Sequence, residues 1–448
     1  MSTARIEEVP TILPELLGRL SEARLQTDEL FAIVRQYSLY ERPIAERHRI
    51  VFYIGHLEAF DWNLLRERVF GLGSFNADYD KLFAFGIDPV GGGLPTDQPK
   101  DWPSIEDVRG YVSEVRSRID ENLARLDPVD LFAKPDREGS SPGTLLNVAI
   151  EHRLMHAETL AYMLHQLPHR HKVPHARKPS LVTSPIAPEM IAIPAGRATL
   201  GLSRRAAAFG WDNEFEEHQV EVPAFRIDNQ MVSNGQYLEF VDAGGYEDPA
   251  FWSPSDWEWK SAGKISHPVF WHNTDGRWHF RTMFDDIPLP LDWPVYVSHA
   301  EAAAFARWAG KSLPSEAQWH RAAYGTPDEG ERQFPWGSEL PTTKRGNFDF
   351  RGWDPTPAGA FPEGRSAFGL YDLLGNGWEW TSTLFQPFSN FQPFPFYRGY
   401  SADFFDGKHY VIKGGSARTA ASMLRRSFRN WFQPHYQYVY AGFRCVAS

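Results

Sequence analysis

Residues 144–167, TLLNVAIEHRLMHAETLAYMLHQL, decide the fold of the first part of this chain. Apolar residues recur there every three to four positions, which is typical of a helix that packs one face into a core. Ser141-Pro142 just before the segment suits a helix N-cap followed by proline at the first helical position. His152 and His156 lie four residues apart on the apolar face, whereas Arg153 is expected to point elsewhere. The rest of that face is formed by Leu145, Ala149, Leu160 and Met163.

Three further segments before this one show the same periodicity, at residues 13–37, 44–70 and 105–126. Their lengths suit bundle helices, and the loops that separate them contain glycine and proline. We therefore predict a helical bundle of four helices in residues 1–168. A proline-rich stretch follows, and we predict a linker at residues 169–188.

From residue 189 onward the sequence changes to short strand-like runs, many glycines and tryptophans, and long irregular stretches. This pattern predicts an α+β domain in residues 189–448. One helix is expected at residues 298–309, and Pro314-Ser315-Glu316 is expected to begin another. The predicted fold class is thus an α-helical domain followed by an α+β domain.

Charge and cysteine content exclude several classes of function. The formal net charge of −11 argues against nucleic acid or an anionic membrane as the main partner. No apolar run approaches the roughly 20 residues that span a bilayer, and the first residues lack the pattern of a signal peptide, so we expect a soluble cytoplasmic protein. Cys445 is the only cysteine, so a metal would need nitrogen or oxygen ligands, for which 16 histidines are present.

A third histidine joins the pair in the 144–167 segment. His56 lies on the inward stripe of the 44–70 segment, together with Tyr53, Phe60 and Leu64. Three histidines on two facing helices leave coordination positions open, as a non-haem iron oxygenase requires. From spacing alone, structural histidines satisfied by hydrogen bonds remain an alternative. So does a zinc hydrolase, although Arg153 stands where a zinc metalloprotease helix has its catalytic glutamate.

Several motifs carry a resemblance to known families. Gly55-His56-Leu57-Glu58 and His152-Arg153-Leu154-Met155-His156 match the metal-ligand positions of DinB-like four-helix bundles. The second part resembles the formylglycine-generating-enzyme or sulfatase-modifying-factor domain, which has a C-type-lectin-like fold. Its markers are Ile193-Pro194-Ala195-Gly196, Val232-Ser233-Asn234, Leu313-Pro314-Ser315-Glu316-Ala317-Gln318-Trp319, Gly375-Asn376-Gly377-Trp378-Glu379-Trp380, Lys413-Gly414-Gly415-Ser416 and Ala441-Gly442-Phe443-Arg444.

These two domains in this order, with this histidine triad, resemble the sulfoxide synthases of ergothioneine biosynthesis. The resemblance implies an Fe(II) enzyme that uses dioxygen to join hercynine, the trimethylbetaine of histidine, to a thiol at imidazole C2 and to oxidise the sulfur. His56, His152 and His156 would be the iron ligands.

The same resemblance assigns roles to residues of the second domain. Asn430 and Trp431 fall at the positions of the family's betaine-binding pair. A tryptophan face attracts a quaternary ammonium, which suits this role. Tyr397 and Tyr400 are the candidates for the tyrosine that donates a proton near the metal.

Two departures from the family pattern concern the thiol. Phe432 replaces the aspartate that binds the amino group of γ-glutamylcysteine in actinobacterial relatives, and residues 84–93 lack the arginines that bind its carboxylates. We therefore expect cysteine as the donor, with a selenosugar, as in selenoneine synthases, as the runner-up. Met155 also replaces a frequent glutamine, which affects the expected betaine contacts.

Two alternatives belong to other classes. A formylglycine-generating oxidase works through two active-site cysteines, which Cys445 alone cannot supply. A non-catalytic lectin-like binding protein would use the bundle as a scaffold and would bind no metal.

Overall fold

The structure is a computed structural model, and it describes residues 9–84, 94–133, 140–174, 186–205 and 208–447. The chain divides into two compact units, Met1–His175 and Ala176–Ser448. The predicted linker at residues 169–188 includes this division, but residues 175–185 lie outside the described residues, as do residues 85–93 of the arginine-free stretch. The predicted domain boundaries therefore stay a prediction, whereas the predicted order of a helical and an α+β unit is confirmed.

Unit 1 is built from helices. In chain order they are α1 (Val9–Ala32), α2 (Ile50–Leu65), α3 (Ala77–Leu82), α4 (Ile105–Leu123), α5 (Asp130–Ala133) and α6 (Pro142–Gln166). The four long helices form the predicted bundle, in which α6 packs against both α1 and α2, and α2 packs against α4. None of the helices in the described part of the chain is both long and apolar enough to cross a membrane.

Helix α6 begins where the sequence predicts. The Ser141 hydroxyl accepts a hydrogen bond from the backbone N–H of Thr144 at 3.2 Å, and Pro142 occupies the first helical position. Serine satisfies an N–H group that has no partner within the helix, and proline has no N–H to leave unsatisfied. The helix ends at Gln166, where Leu167 takes an extended conformation ahead of Pro168.

Three predicted helix ends are wrong by five or six residues: the end of α1 and both ends of α2, which spans Ile50–Leu65 rather than residues 44–70. Helix α1 ends at Ala32 rather than residue 37, because Ile33 and Arg35 instead pair with the chain after α6: Arg35 N–H donates to His171 at 3.0 Å, and Val173 N–H donates to Ile33 at 2.7 Å. Such a pairing between distant segments leaves no periodic signal. Helix α2 begins at Ile50 rather than residue 44, because Arg49 is extended.

Four α-helices and twelve short strands make up the regular structure in the described residues of unit 2. The helices are α7 (Asn234–Asp242), α8 (Pro254–Ala262), α9 (His299–Trp308) and α10 (Glu316–Tyr324). The strands are β1 (Met190–Ile193), β2 (Gly196–Leu200), β3 (His218–Val222), β4 (Phe225–Asp228), β5 (Trp271–Thr274), β6 (Arg277–Arg281), β7 (Asp286–Pro288), β8 (Gly377–Leu384), β9 (Tyr410–Gly415), β10 (Asn430–Phe432), β11 (Ala441–Gly442) and β12 (Val446–Ala447).

These strands form small, mostly antiparallel sheets. Their orders are β1-β4-β12, β10-β9-β8-β11, β2-β3 and β5-β6-β7, and only β11 runs parallel to its neighbour. Both predicted helices of this unit are present. Ser298 caps α9 and Ser315 caps α10, each with a capping box.

A buried ion pair fixes the last strands of unit 2. Glu379 of β8 and Arg444 are both fully buried, and the guanidinium binds the carboxylate through two contacts of 2.6 and 2.7 Å. Arg444 also donates to the carbonyl of Asp228 in β4 at 3.2 Å. The pair thus links the four-stranded sheet to the β1-β4-β12 sheet.

Replacing Arg444 with methionine should strongly destabilise unit 2, because Glu379 would stay buried without its cation. We expect the free energy of unfolding to fall by about 3–5 kcal/mol, measured by denaturant unfolding followed by tryptophan fluorescence. Adding Glu379→Gln should restore part of the loss. The control is Arg197→Met on the exposed side of β2. If Arg444→Met lowered the free energy of unfolding no more than this control does, the buried ion pair would not stabilise unit 2 as we expect.

Candidate metal centre

Three histidines of unit 1 turn their Nε2 atoms towards one another. His56 comes from α2, and His152 and His156 come from successive turns of α6. The Nε2 atom of His156 lies 3.3 Å from that of His56 and 3.1 Å from that of His152. All three side chains are buried, with at most 5% of each residue exposed. The geometry therefore brings together the three histidines that the sequence singles out.

The orientation of His56 is set by a backbone carbonyl. Its Nδ1 atom lies 2.7 Å from the carbonyl oxygen of Phe83, which can only accept, so Nδ1 carries the proton. The lone pair of His56 is then on Nε2, facing the other two rings. Gly55 makes this contact possible, because a Cβ atom at that position would lie 2.5 Å from the ring of Phe83. The glycine thus allows Phe83 to pack close to α2 and to present its carbonyl.

Aromatic rings hold the imidazoles on their outer sides. Phe60 stacks on His152 with ring centroids 3.4 Å apart and an interplanar angle of 11°, and Phe52 stacks on His56 at 4.9 Å. This packing fixes the ring planes and keeps water away from them.

Burial keeps the three imidazoles neutral. It lowers the pKa of His56 to about 4, and it lowers the pKa values of His152 and His156 well below the usual value, with each histidine's positive neighbours adding to the effect. Neutral imidazole is the form that binds metals, because a protonated ring has no lone pair to offer.

The donor set fits one metal ion. Among the described residues, His56, His152 and His156 form a group whose potential ligand atoms all lie within 4.8 Å of one another, which is close enough to hold one metal ion. Three lone-pair donors that converge in an apolar interior are unfavourable unless a proton or a cation lies among them. The histidine cluster is therefore consistent with a metal. That these residues are its ligands stays a prediction.

A buried charge network beside the triad was not predicted. Arg153 is 1% exposed, so the expectation that it points away from the interior is wrong. Its guanidinium donates to both carboxylate oxygens of Glu58 at 2.9 Å and to Asp61 at 2.6 Å. Because Arg153 lies on α6 and both carboxylates lie on α2, the network fixes how these helices are aligned. The motif Gly55-His56-Leu57-Glu58 contains one partner, but periodicity alone gives no sign of the pairing.

The two carboxylates respond differently to this network. Burial opposes ionisation of Glu58, but Arg153 and Arg116 outweigh it and lower the pKa of that carboxyl. Burial raises the pKa of Asp61 to about 6 against the attraction of Arg153, and the nearby charge of Glu58 adds to the rise. Arg153 thus pairs with both carboxylates, while Glu58 has Arg116 as a second cation.

The predicted betaine pair lies on β10 of unit 2. Asn430 and Trp431 are half-buried, and the side-chain oxygen of Asn430 accepts the backbone N–H of Trp431 at 2.9 Å. The indole stacks on Phe385 with centroids 4.1 Å apart and an interplanar angle of 7°. Tyr400 and Phe404 approach it at 5.5 and 5.6 Å. Trp431 thus belongs to a cluster of four aromatic rings.

Of the two candidate tyrosines, Tyr400 is in contact with this cluster. It is 9% exposed and stacks on Trp211 at 3.9 Å, while Tyr397 lies 5.5 Å from it. The departure at Phe432 is also visible: its ring stacks on Tyr436 at 5.4 Å, so an aromatic contact occupies the position of the family's aspartate.

Asp212 was missed by the sequence analysis. It is fully buried beside Trp211, and its carboxylate accepts the Ser401 hydroxyl at 2.6 Å. Burial raises its pKa to about 6 against the hydrogen bonds that it accepts, so it is mostly ionised at neutral pH. No motif of the sequence marks this residue.

The single thiol has no catalytic setting. Cys445 is fully buried, and burial raises its pKa, so the reactive thiolate form is disfavoured.

Two family models match the chain. Residues 177–448 match the Sulfatase-modifying factor enzyme 1-like domain, and residues 12–160 match the DinB superfamily. Both matches agree with the motifs quoted from the sequence.

Similar proteins fall into two groups. Hercynine oxygenase of Mycolicibacterium smegmatis is 36% identical over 75% of this chain and 77% of its own length. Ergothioneine biosynthesis protein 1 of Neurospora crassa is 28% identical over 92% of this chain, which spans 55% of that relative. Formylglycine-generating enzyme of Mycobacterium tuberculosis is 30% identical, but over only 58% of this chain.

Replacing Gly55 with alanine should disturb the orientation of His56, because the added methyl group would push away the Phe83 ring and its carbonyl. We expect metal affinity to fall about 10–100-fold, the usual effect of losing a partner of a metal-binding histidine. The measurement is competition with a chromophoric chelator. Gly18→Ala is the matched control, since nothing lies within 4 Å of a Cβ atom there. Equal affinities for the two variants would refute this role of Gly55.

Proposed function

The chain belongs to the ergothioneine-biosynthesis sulfoxide synthase family, and we propose that it uses Fe(II) and dioxygen to join hercynine to a thiol, with cysteine as the preferred donor. The observation that carries this proposal is the convergence of three buried, neutral imidazoles in unit 1. The names of relatives, hercynine oxygenase and ergothioneine biosynthesis protein 1, support hercynine as the substrate and indicate an oxidative enzyme.

The proposed reaction balances with dioxygen as the only oxidant. The imidazole C2–H bond and the thiol S–H bond are replaced by a carbon–sulfur bond, which releases two electrons. Oxidation of the sulfur to the sulfoxide releases two more. Dioxygen accepts all four electrons, one oxygen atom remaining on sulfur and the other leaving as water.

In this proposal His56, His152 and His156 hold the iron, which supplies the activation of dioxygen. Three neutral ligands leave coordination positions open for substrates. The chain's own contribution is to keep the imidazoles deprotonated by burial and to fix His56 through the Phe83 carbonyl. The stacked rings of Phe52 and Phe60 exclude water that would compete at the site.

Asn430 and Trp431 are proposed to bind hercynine. The Trp431 face attracts the trimethylammonium group, at about 0.5–2 kcal/mol for such a contact. The Asn430 side-chain oxygen accepts the backbone N–H of Trp431, which leaves its amide N–H groups as donors for a ligand. They can donate to the carboxylate of the betaine. The two residues therefore suit opposite ends of one zwitterion.

A tyrosine is proposed to supply a proton during the reaction. Tyr400 is the first candidate because its ring contacts Trp431, the proposed hercynine residue, and Tyr397 is the second. We expect Tyr400→Phe, or Tyr397→Phe if that residue is the donor, to lower kcat by a larger factor than it changes the KM for hercynine. The ring would remain and only the hydroxyl would be lost.

Replacing any one of the three histidines with alanine should abolish turnover and sharply lower iron content. The assay contains Fe(II)-loaded protein, hercynine, cysteine and air, with products identified by mass spectrometry and iron by elemental analysis. His171→Ala is the control, because this histidine of unit 1 hydrogen-bonds Ser38 and belongs to no ligand cluster among the described residues.

The same experiment separates the competing functions. A His152→Ala protein with full iron content and activity would show that the ligand assignment is wrong. Wild-type protein that binds hercynine but neither iron nor oxygen would support the non-catalytic binding protein instead. Coupling to a selenosugar in preference to cysteine would identify a selenoneine synthase.

Cysteine should exceed γ-glutamylcysteine as a donor. The larger thiol brings two carboxylates and an ammonium group, which lose hydration in a pocket and need charged partners there. Phe432 replaces one family partner, and the arginine-free stretch contains no replacement for the others. Loss of two charge-assisted contacts, each about 1.5–3 kcal/mol, lowers kcat/KM by about two to four orders of magnitude. Steady-state kinetics at saturating hercynine would measure this ratio.

Substitutions at Phe432 test the explanation directly. Phe432→Asp should raise kcat/KM for γ-glutamylcysteine about tenfold relative to Phe432→Asn, because both remove the ring and only aspartate adds the charge. Wild-type protein that prefers γ-glutamylcysteine would show that other residues have taken over the missing contacts.

A further inference from the structure

A short turn in unit 2 contacts both segments that carry the proposed substrate residues. We call residues 211–214 the anchor turn; it consists of Trp211 and the 3-10 turn Asp212–Glu214. One of the two segments, residues 394–401, contains both candidate tyrosines. The other, residues 425–431, ends at the proposed betaine pair. The two segments are separated in sequence, so their arrangement depends on what they both contact.

Asp212 and Trp211 hold the first segment. The carboxylate of Asp212 accepts the hydroxyl of Ser401 at 2.6 Å and the backbone N–H of Phe394 at 3.4 Å, so it binds near both ends of the segment. The ring of Trp211 stacks on Tyr400 between them, with an interplanar angle of 24°.

Glu214 and Asn213 hold the second segment. Glu214 is fully buried and accepts Arg425 Nε at 2.8 Å and the Ser427 hydroxyl at 2.7 Å. The backbone carbonyl of Asn213 accepts Arg429, the residue immediately before the betaine pair, at 3.4 Å. Four consecutive residues therefore fix both segments.

The chemistry of Asp212 is unusual for a purely structural residue. The described residues supply Glu214 with a cation, Arg425, but they form no salt bridge with Asp212. A buried carboxylate without a cation disfavours folding relative to an uncharged residue of similar size. Its contribution is instead geometric, since one carboxylate can accept from a side chain and from the backbone at once.

We infer that Asp212 is a positioning residue, which acts through Ser401 and Phe394 to hold Tyr400 against Trp431. This inference rests on the proposed function, in which Trp431 binds hercynine. A mobile Tyr400 would leave the aromatic cluster open on one side. Binding of the trimethylammonium group would then require that side to become ordered first, which weakens affinity.

Amide hydrogen exchange of the full-length protein tests the positioning itself. Asp212→Ala should speed exchange in peptides covering residues 394–405 and 430–432. Asp212→Asn should have a smaller effect, because its side-chain oxygen can still accept from Ser401. The control is Ser233→Ala, which removes the N-cap of α7 and destabilises unit 2 without touching the anchor turn.

Hercynine binding, measured by calorimetry, tests the consequence. The Kd should rise about tenfold in Asp212→Ala, less in Asp212→Asn, and stay at the wild-type value in Ser233→Ala. Iron content should be unchanged in all three variants. Two results would overturn the inference. One is a Kd for hercynine that rises equally in Ser233→Ala and Asp212→Ala, and the other is an unchanged amide exchange rate of residues 394–405 in Asp212→Ala. Wild-type protein that does not bind hercynine would instead overturn the proposed function, while the exchange experiment would still decide the role of Asp212.

Discussion

The alignment of α2 with α6 is the constraint on which the candidate metal centre depends. Histidines on two helices can face one ion only if the helices keep one vertical register, and apolar contacts alone tolerate sliding between registers. The Arg153 guanidinium prevents such sliding, because it binds Glu58 and Asp61 at defined distances, and these two residues lie one turn apart on α2. Moving α6 by a turn would leave Arg153 and Asp61 buried without each other and Glu58 with Arg116 alone, which costs several kcal/mol. The network therefore selects the alignment at which His56 meets His152 and His156.

Burial has opposite effects on the two sets of polar groups in this bundle. For the charge network it is a cost that only close pairing offsets, so the carboxylates keep ionised partners within 3 Å. For the imidazoles it removes the proton and leaves a lone pair on each ring. A single apolar interior thus produces both a rigid ion-paired face and a set of neutral imidazoles, although the two sets are neighbours in sequence.

Much of the fold was predictable because its signals are local. Capping by Ser141, Ser298 and Ser315 involves residues three positions apart, and periodicity placed the four bundle helices and the three histidines. The family resemblance drawn from the motifs is confirmed by the comparisons. The failures concern interactions between distant segments. The end of α1, the burial of Arg153 and the carboxylate of Asp212 all depend on partners more than 90 residues away, and a single sequence contains no sign of such pairs. The roles proposed for His56, Asn430 and Tyr400 await experiment.

The burial of Cys445 has a practical consequence for an enzyme that is proposed to handle thiols in air. Proteins with accessible thiolates form mixed disulfides with low-molecular-weight thiols and pass through sulfenic acid when oxidised. This chain has one sulfhydryl, and it is enclosed in the core of unit 2 with its ionisation suppressed. The folded protein therefore adds no accessible thiol of its own, and a colorimetric thiol reagent applied to samples withdrawn during turnover would measure the remaining donor alone.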